Sequence, residues 1–213
     1  GARLCAVVAE GRMPGAMEVT QQRTADEPET ENANGTRDCV NVHRVSVAQL
    51  GVMVLGNLPK KRREERMRTV LNLLTPPFTD VPVAAAVFDA GGQIIGWGRN
   101  ERTDTVDPTA HAEVQAIRMA ARARGDYILE DTELVVTLEP CTMCAGAILA
   151  ARIPSLVFGA FEEKMGAVGS VIDVIREPAL PNRVEVTGGV LQDECAALLI
   201  EFFQKKRLTH GEA

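Results

Sequence analysis

Apolar positions along this chain fall into two periods, and the alternation between them sets the expected architecture. Met67, Val70, Leu71 and Leu74 recur at the spacing of one helix face, and Pro76-Pro77 ends that helix because proline cannot donate the next helical hydrogen bond. Residues 81–88 form an apolar run, Asp89-Ala90-Gly91-Gly92 supplies a turn, and 93–97 returns as a second strand, which predicts a hairpin. Asp107-Pro108-Thr109 offers start residues for a helix over about 109–124, closed by Gly125. Further on, the pattern predicts a buried strand at 134–138, a helix opened by Pro140 at about 141–151, and a strand at 156–158. A short helix at 169–174, a strand at 184–187 and an amphipathic helix at 192–207 complete the reading. Strands alternating with helices in this order predict an α/β fold of three layers, α/β/α, around one mixed sheet.

The first 60 residues break this pattern. Residues 11–38 are rich in Glu, Thr, Asn, Gly and Pro, with few side chains that could build a core, and are expected to be disordered or loosely attached. The chain therefore divides into an N-terminal extension, 1–60, and a folded domain, 61–213. Lys60-Lys61-Arg62-Arg63 reads as a solvated helix start rather than an RNA-binding arm.

Composition narrows the picture further. With 213 residues, 46% hydrophobic and 24% charged, the chain can bury an apolar core, and at 4% aromatic that core must rest on Ala, Val, Leu and Ile. A net charge of −6 is the wrong sign for wrapping nucleic acid indiscriminately, although a local basic patch stays open. The longest apolar candidate for a membrane span, 45–58, is interrupted by Ser46, Gln49, Gly51, Gly56 and Asn57, so no membrane association is expected. The sequence begins at Gly1 without a signal-peptide pattern, and a cytoplasmic location is expected.

The chemistry lies in two short segments, Pro108-Thr109-Ala110-His111-Ala112-Glu113 and Glu139-Pro140-Cys141-Thr142-Met143-Cys144. Of the five cysteines two form one C-x-x-C, a pattern that reads as metal or redox chemistry rather than a disulfide framework; Cys5, Cys39 and Cys195 read as ordinary thiols. Two thiolates at a helix start plus an imidazole favour zinc over oxygen-loving ions. These segments supply three obvious ligands, His111, Cys141 and Cys144, whereas structural zinc usually takes four, so a catalytic site with one open position is expected. Glu113, at the start of the same helix as His111, can lie beside a water there and act as general base and then general acid.

Together the segments match the H-x-E…P-C-x-x-C signature of zinc deaminases acting on bases and nucleosides. The chain further resembles the bacterial tRNA-specific adenosine deaminases from about residue 65 to 208. The stretches that carry this are Val81-Pro82-Val83, Asn100, residues 107–113, Val136-Thr137-Leu138-Glu139-Pro140-Cys141, and Met143-Cys144-Ala145-Gly146-Ala147. Val157-Phe158-Gly159-Ala160, Lys164, Gly166-Ala167, Gly169-Ser170 and residues 193–199 extend it. The resemblance implies a cytidine-deaminase-like fold with a mixed five-stranded sheet, one Zn²⁺ per subunit, no organic cofactor, and a homodimer acting on a tRNA anticodon loop. The implied activity is hydrolysis of adenosine to inosine at the wobble position. Asn100 would hydrogen-bond the base, and Val81, Ala112 and Leu138 would line its pocket. Val81 and Leu138 also read as plain core positions, and Asn100 as a strand-end cap. Lys164 and the loop 166–170 would contact the RNA backbone. The chain departs from the family pattern at Ala84, Phe161-Glu162, Met165 and Pro181-Asn182, which bears on the substrate and not on the ligands. Two other readings share the zinc residues: a deaminase of a free base or nucleoside, and a non-catalytic zinc module with a fourth protein ligand.

Overall fold

A computed structural model describes residues 58–180 and 182–210. The expectation for the N-terminal extension lies outside the described residues up to residue 57, as does the departure at Pro181.

The elements run α1 (Lys60–Leu71), β1 (Ala84–Phe88), β2 (Ile94–Arg99), α2 (Arg102–Thr105), α3 (Ala112–Arg124), β3 (Glu133–Leu138), α4 (Thr142–Ala150), β4 (Ser155–Ala160), β5 (Glu185–Thr187) and α5 (Gln192–His210). The strands form one five-stranded sheet in the order β2-β1-β3-β4-β5. β1 pairs antiparallel with both β2 and β3, whereas β3, β4 and β5 run parallel, so the sheet is mixed as the alternation predicted. Among the described residues no helix is long and apolar enough to cross a membrane.

Side chains of a strand alternate between faces, and here each face has its own core. Ala85 and Val87 of β1 join Ala112, Ala116 and Ala120 of α3 and Ala145 and Ile148 of α4 on one side. Ala84, Ala86 and Phe88 join Met67 and Val70 of α1 and Cys195 of α5 on the other. This is the three-layer α/β/α arrangement. The departure at Ala84 fits within it: the residue is fully buried, and its backbone N–H donates to Thr137 Oγ1 at 3.2 Å.

Three expectations are corrected, and one helix is new. The first helix ends at Leu71 with Asn72 as its C-cap, ahead of Leu74 and of the Pro76-Pro77 pair expected to end it. The helix expected over 109–124 begins at Ala112, because Asp107 spends its carboxylate on the backbone N–H and hydroxyl of Thr109, at 2.7 and 2.6 Å, making a separate turn ahead of the helix. The short helix expected at 169–174 is a turn instead. Gly169 sits at φ +135°, and the amides of Val168 and Ser170 donate to the Glu139 carboxylate rather than to helical carbonyls. Helix α2 was not expected at all; its start is capped by Asp80, which accepts from Thr103 N at 2.6 Å across 23 residues of sequence.

Two buried features seat the helices. Arg66 of α1 reaches Glu133 of β3 at 2.7 Å with both side chains nearly inaccessible, and Ser155 Oγ donates to the second carboxylate oxygen at 2.9 Å. The Arg66 guanidinium also lies 4.7 Å from the Phe88 ring centroid. On the other face α3 presses onto β2 at Gly96 and Gly98. A Cβ at Gly96 would collide with the Ala116 carbonyl and Ala120 amide, and one at Gly98 with Gln115 and, at 2.7 Å, the Ala112 carbonyl. Only glycine on the strand permits this approach.

Gly98→Val should therefore lower stability by about 1–3 kcal/mol through overpacking, read by urea denaturation. Unchanged stability would mean that this contact does not seat α3.

Candidate active site

Strand directions bring the site together. β2 and β3 both run antiparallel to β1, so the C-terminal ends of β2, β3 and β4 share one edge of the sheet with the residues preceding β1. Val81 before β1, Asn100 after β2, Leu138 at the end of β3 and the loop after β4 all lie along that edge.

The helix starts supply the groups that could ligate a metal. His111 is the N-cap of α3 and Cys141 the N-cap of α4, with Cys144 in the first turn. His111 Nδ1 lies 3.7 Å from Cys141 Sγ and 3.5 Å from Cys144 Sγ, and the three ligand atoms all fall within 4.8 Å of one another. Tetrahedral zinc, with bonds of about 2.0 Å to nitrogen and about 2.3 Å to sulfur, requires a nitrogen–sulfur separation of about 3.5 Å. The group fits zinc in both donor chemistry and size. Among the described residues no fourth His, Cys, Asp or Glu joins it, which agrees with an open position rather than a closed structural site.

Electrostatics favour the same reading. A hydrogen bond from Cys144, and then one with His111, holds the Cys141 thiol down at about 3. Cys144 moves the opposite way, because its proton bonds to the Cys141 sulfur and burial beside Glu113 opposes a further charge. The hydrogen bond to Cys141 raises the His111 imidazole against the effect of burial. A divalent cation between the two sulfurs would favour the thiolate on both. Glu113 is 4% exposed; burial raises its carboxyl above the usual range, against its own backbone N–H and His111.

Residues 60–160 match the model of the cytidine and deoxycytidylate deaminase zinc-binding region. The chain is similar to a tRNA-specific adenosine deaminase of Haemophilus influenzae, 46% identical over 146 residues, which cover 68% of this chain and 84% of that one. The chain belongs to the zinc-dependent deaminase family. A solved structure from work on A-to-I editing by tRNA:A34 deaminases at the wobble position of transfer RNA matches with TM-score 0.55 at 36% identity, covering 65% of this chain and 96% of the other. A guanine deaminase from Nitrosomonas europaea matches with TM-score 0.50 at 28% identity, covering 68% and 84%.

In this deaminase the expected pocket residues sit as follows. Asn100 Nδ2 donates to the Val81 carbonyl at 3.3 Å, while Asn100 Oδ1 is buried without a hydrogen-bond partner. That unpaired acceptor is more than a strand-end cap needs. Val81 and Leu138 are half-buried against the core, and Ala112, between His111 and Glu113, is inaccessible. A cavity of about 80 Å³ is lined by Val81, Asn100, Thr79 and Asp104, with none of His111, Glu113, Cys141 and Cys144 in its wall. A larger concavity of about 620 Å³, between the start of α1 and the start of α5, contains no such metal group.

Glu139 is the site residue whose function the sequence did not disclose. It is 2% exposed, and its carboxylate accepts from Glu162 N (3.1 Å), Val168 N (3.1 Å), Ser170 N (3.0 Å) and the Ser170 hydroxyl. Burial alone would raise its carboxyl, but the Ser170, Glu162 and Val168 hydrogen bonds outweigh burial and hold it below the usual range. The motif marked Glu139 only by position; its partners lie 23 to 31 residues away.

His111→Ala or Cys144→Ala should reduce bound zinc from about one per chain to a small fraction, since two donors do not complete the site. Elemental analysis of the purified variants checks this; full zinc in either would remove that residue from the ligand set.

Proposed function

We propose that the chain hydrolyses adenosine to inosine at the wobble position of a tRNA anticodon, with Glu113 as the proton carrier. The observation that carries this reading is a buried carboxyl beside a three-ligand zinc group, in a chain 46% identical to a tRNA-specific adenosine deaminase. His111, Cys141 and Cys144 would hold a zinc ion, which when bound would supply the Lewis acidity that makes water nucleophilic near neutral pH. Glu113 takes the proton of the attacking water and delivers it to ring N1 as oxygen adds to C6 of adenine. A second proton passes through Glu113 to the departing amine, so that adenosine and water give inosine and ammonia. A carboxyl raised by burial suits a group that must accept and return protons in one cycle.

Asn100 would fix the base through its unpaired Oδ1, with Val81 and Leu138 at the walls and Ala112, buried between His111 and Glu113, backing the pocket. Anticodon-loop bases can be splayed out and read singly, which suits a small pocket at a sheet edge. The exposed loop after β4, with Lys164, would meet the RNA backbone. A reducing cytoplasm would keep both cysteines available to zinc. The folded domain would be the deaminase, from about residue 61 onward.

The decisive assay offers the zinc-loaded protein an anticodon stem-loop bearing wobble adenosine, beside free adenosine, cytidine and guanine. Turnover of the stem-loop is expected; turnover of a free compound alone would overturn the reading. Glu113→Ala should lower that turnover by about 10²–10⁴-fold while zinc is retained. Loss of zinc in this variant would make Glu113 structural.

The enzyme would act as a homodimer. The exposed face of α4 carries Met143, Gly146 and Ala150 with no charge, and a Cβ at Gly146 would meet nothing within 4 Å. Light scattering should give a dimer mass, and Gly146→Arg should shift it to monomer; a monomeric parent protein would exclude this assembly.

A further inference from the structure

Glu139 takes part in no step of the proposed reaction, yet it is among the most highly hydrogen-bonded side chains in the domain. It stands two residues before the ligand Cys141, at the junction of β3 and α4. Every partner of its carboxylate is a donor: three backbone N–H groups and one hydroxyl, all from residues 162–170. Only an ionised carboxylate, which accepts and never donates, satisfies such a set. The same segment is tied by its backbone to the residues that lead into α4, where Ala167 N donates to the Pro140 carbonyl at 2.9 Å and Cys141 bridges to Gly166. Gly166 is required there, since a Cβ would meet the Glu139 carboxylate at 2.7 Å.

The loop so held buries Ala167 and Val168 and leaves its other side exposed. Phe161, Met165, Val171 and Ile172 on and beside it are each about half exposed or more, an apolar surface next to Lys164 at the edge that carries the metal group. Apolar side chains beside a cation suit unstacked nucleic-acid bases with their phosphates.

We infer that Glu139 is a positioning residue, which clamps the 162–170 loop to the start of the zinc-binding helix and so holds the loop's RNA-facing side chains in register with the catalytic centre. This rests on the RNA-editing function proposed above. Its consequence is a division of labour: the zinc ligands and Glu113 set the rate of the chemical step, and Glu139 sets how well the RNA is held. A glutamine at this position would offer one oxygen to one pair of donors. Its amide nitrogen would then face the Glu162 N–H, donor against donor.

The test compares Glu139→Gln with the parent protein, both zinc-loaded, on the anticodon stem-loop. Leaving a buried donor unpaired should raise KM by about tenfold or more. The kcat should fall by less than about threefold, because no transition-state contact is removed. Zinc content should be unchanged, and amide exchange should accelerate at 162–170 but not in α4. Stem-loop affinity, measured without turnover in a Glu113→Ala background, should weaken by the same factor as KM. A fall in kcat at constant KM, or loss of zinc, would overturn the inference and assign Glu139 to support of the metal helix. Unchanged affinity and unchanged exchange would overturn it as well. If Glu139→Gln does not fold, Ser170→Ala removes one donor from the loop side, and a smaller weakening of affinity is expected; no weakening would again overturn the inference. A parent protein that neither binds nor converts the stem-loop would remove the RNA-editing function, and the exchange measurement would still decide whether the clamp exists.

Discussion

The close approach of α3 to β2 is the constraint on which the rest of the structure depends. A helix can settle this low on a sheet only where neither surface carries bulk. Gly96 and Gly98 on the strand, with Ala112, Ala116 and Ala120 on the helix, meet that condition. The contact fixes the height and direction of α3, and with them the positions of His111 at its cap and Glu113 in its first turn. The other half of the site is fixed independently. β3, buried between β1 and β4, delivers Cys141 and Cys144 at the start of α4. The two halves meet because antiparallel β1 separates two strands that run the same way, so both helices start from one edge.

Placing a catalytic group at the start of a helix has chemical consequences as well as geometric ones. Backbone N–H groups there are unpaired and carry partial positive charge, which favours anionic ligands. Thiolates at the start of α4 and an ionisable carboxyl at the start of α3 both gain from this. Burial acts against the charge on Glu113, and the result is a carboxyl raised above its usual range beside a cluster that would hold a divalent cation. The protein uses few aromatic residues for all of this, and its core consists of small and branched aliphatic side chains that bring elements close together.

The outer shell follows a different logic. The loops around the site are tied by carboxylates: Asp80 to the start of α2, Asp107 to Thr109, and Glu139 to the 162–170 loop, whose Ala167 and Val168 also reach the core. Each ties backbone donors that would otherwise need water. This allows the loops to present apolar and basic side chains outward while their backbones stay fixed.

How much of this was legible in the sequence depends on how local its cause is. The periodicity of residues 67–71, 84–88 and 192–207 placed helices and strands because burial on one face imposes a repeat on the sequence itself. The candidate metal group was legible for a similar reason: a C-x-x-C at a helix start and a histidine at another are local statements of donor chemistry, and the structure brings the three together. What stayed hidden depended on partners far along the chain. Helix α2 needs Asp80, the turn at 169–174 needs Glu139, and the true start of α3 emerged only once Asp107 was seen bonded to Thr109. The sequence by itself determined the layers and the metal chemistry, because these follow from residue type and spacing. Only the tertiary structure decided which loops border the site and what holds them, because a buried carboxylate can choose among backbone donors that no sequence pattern marks.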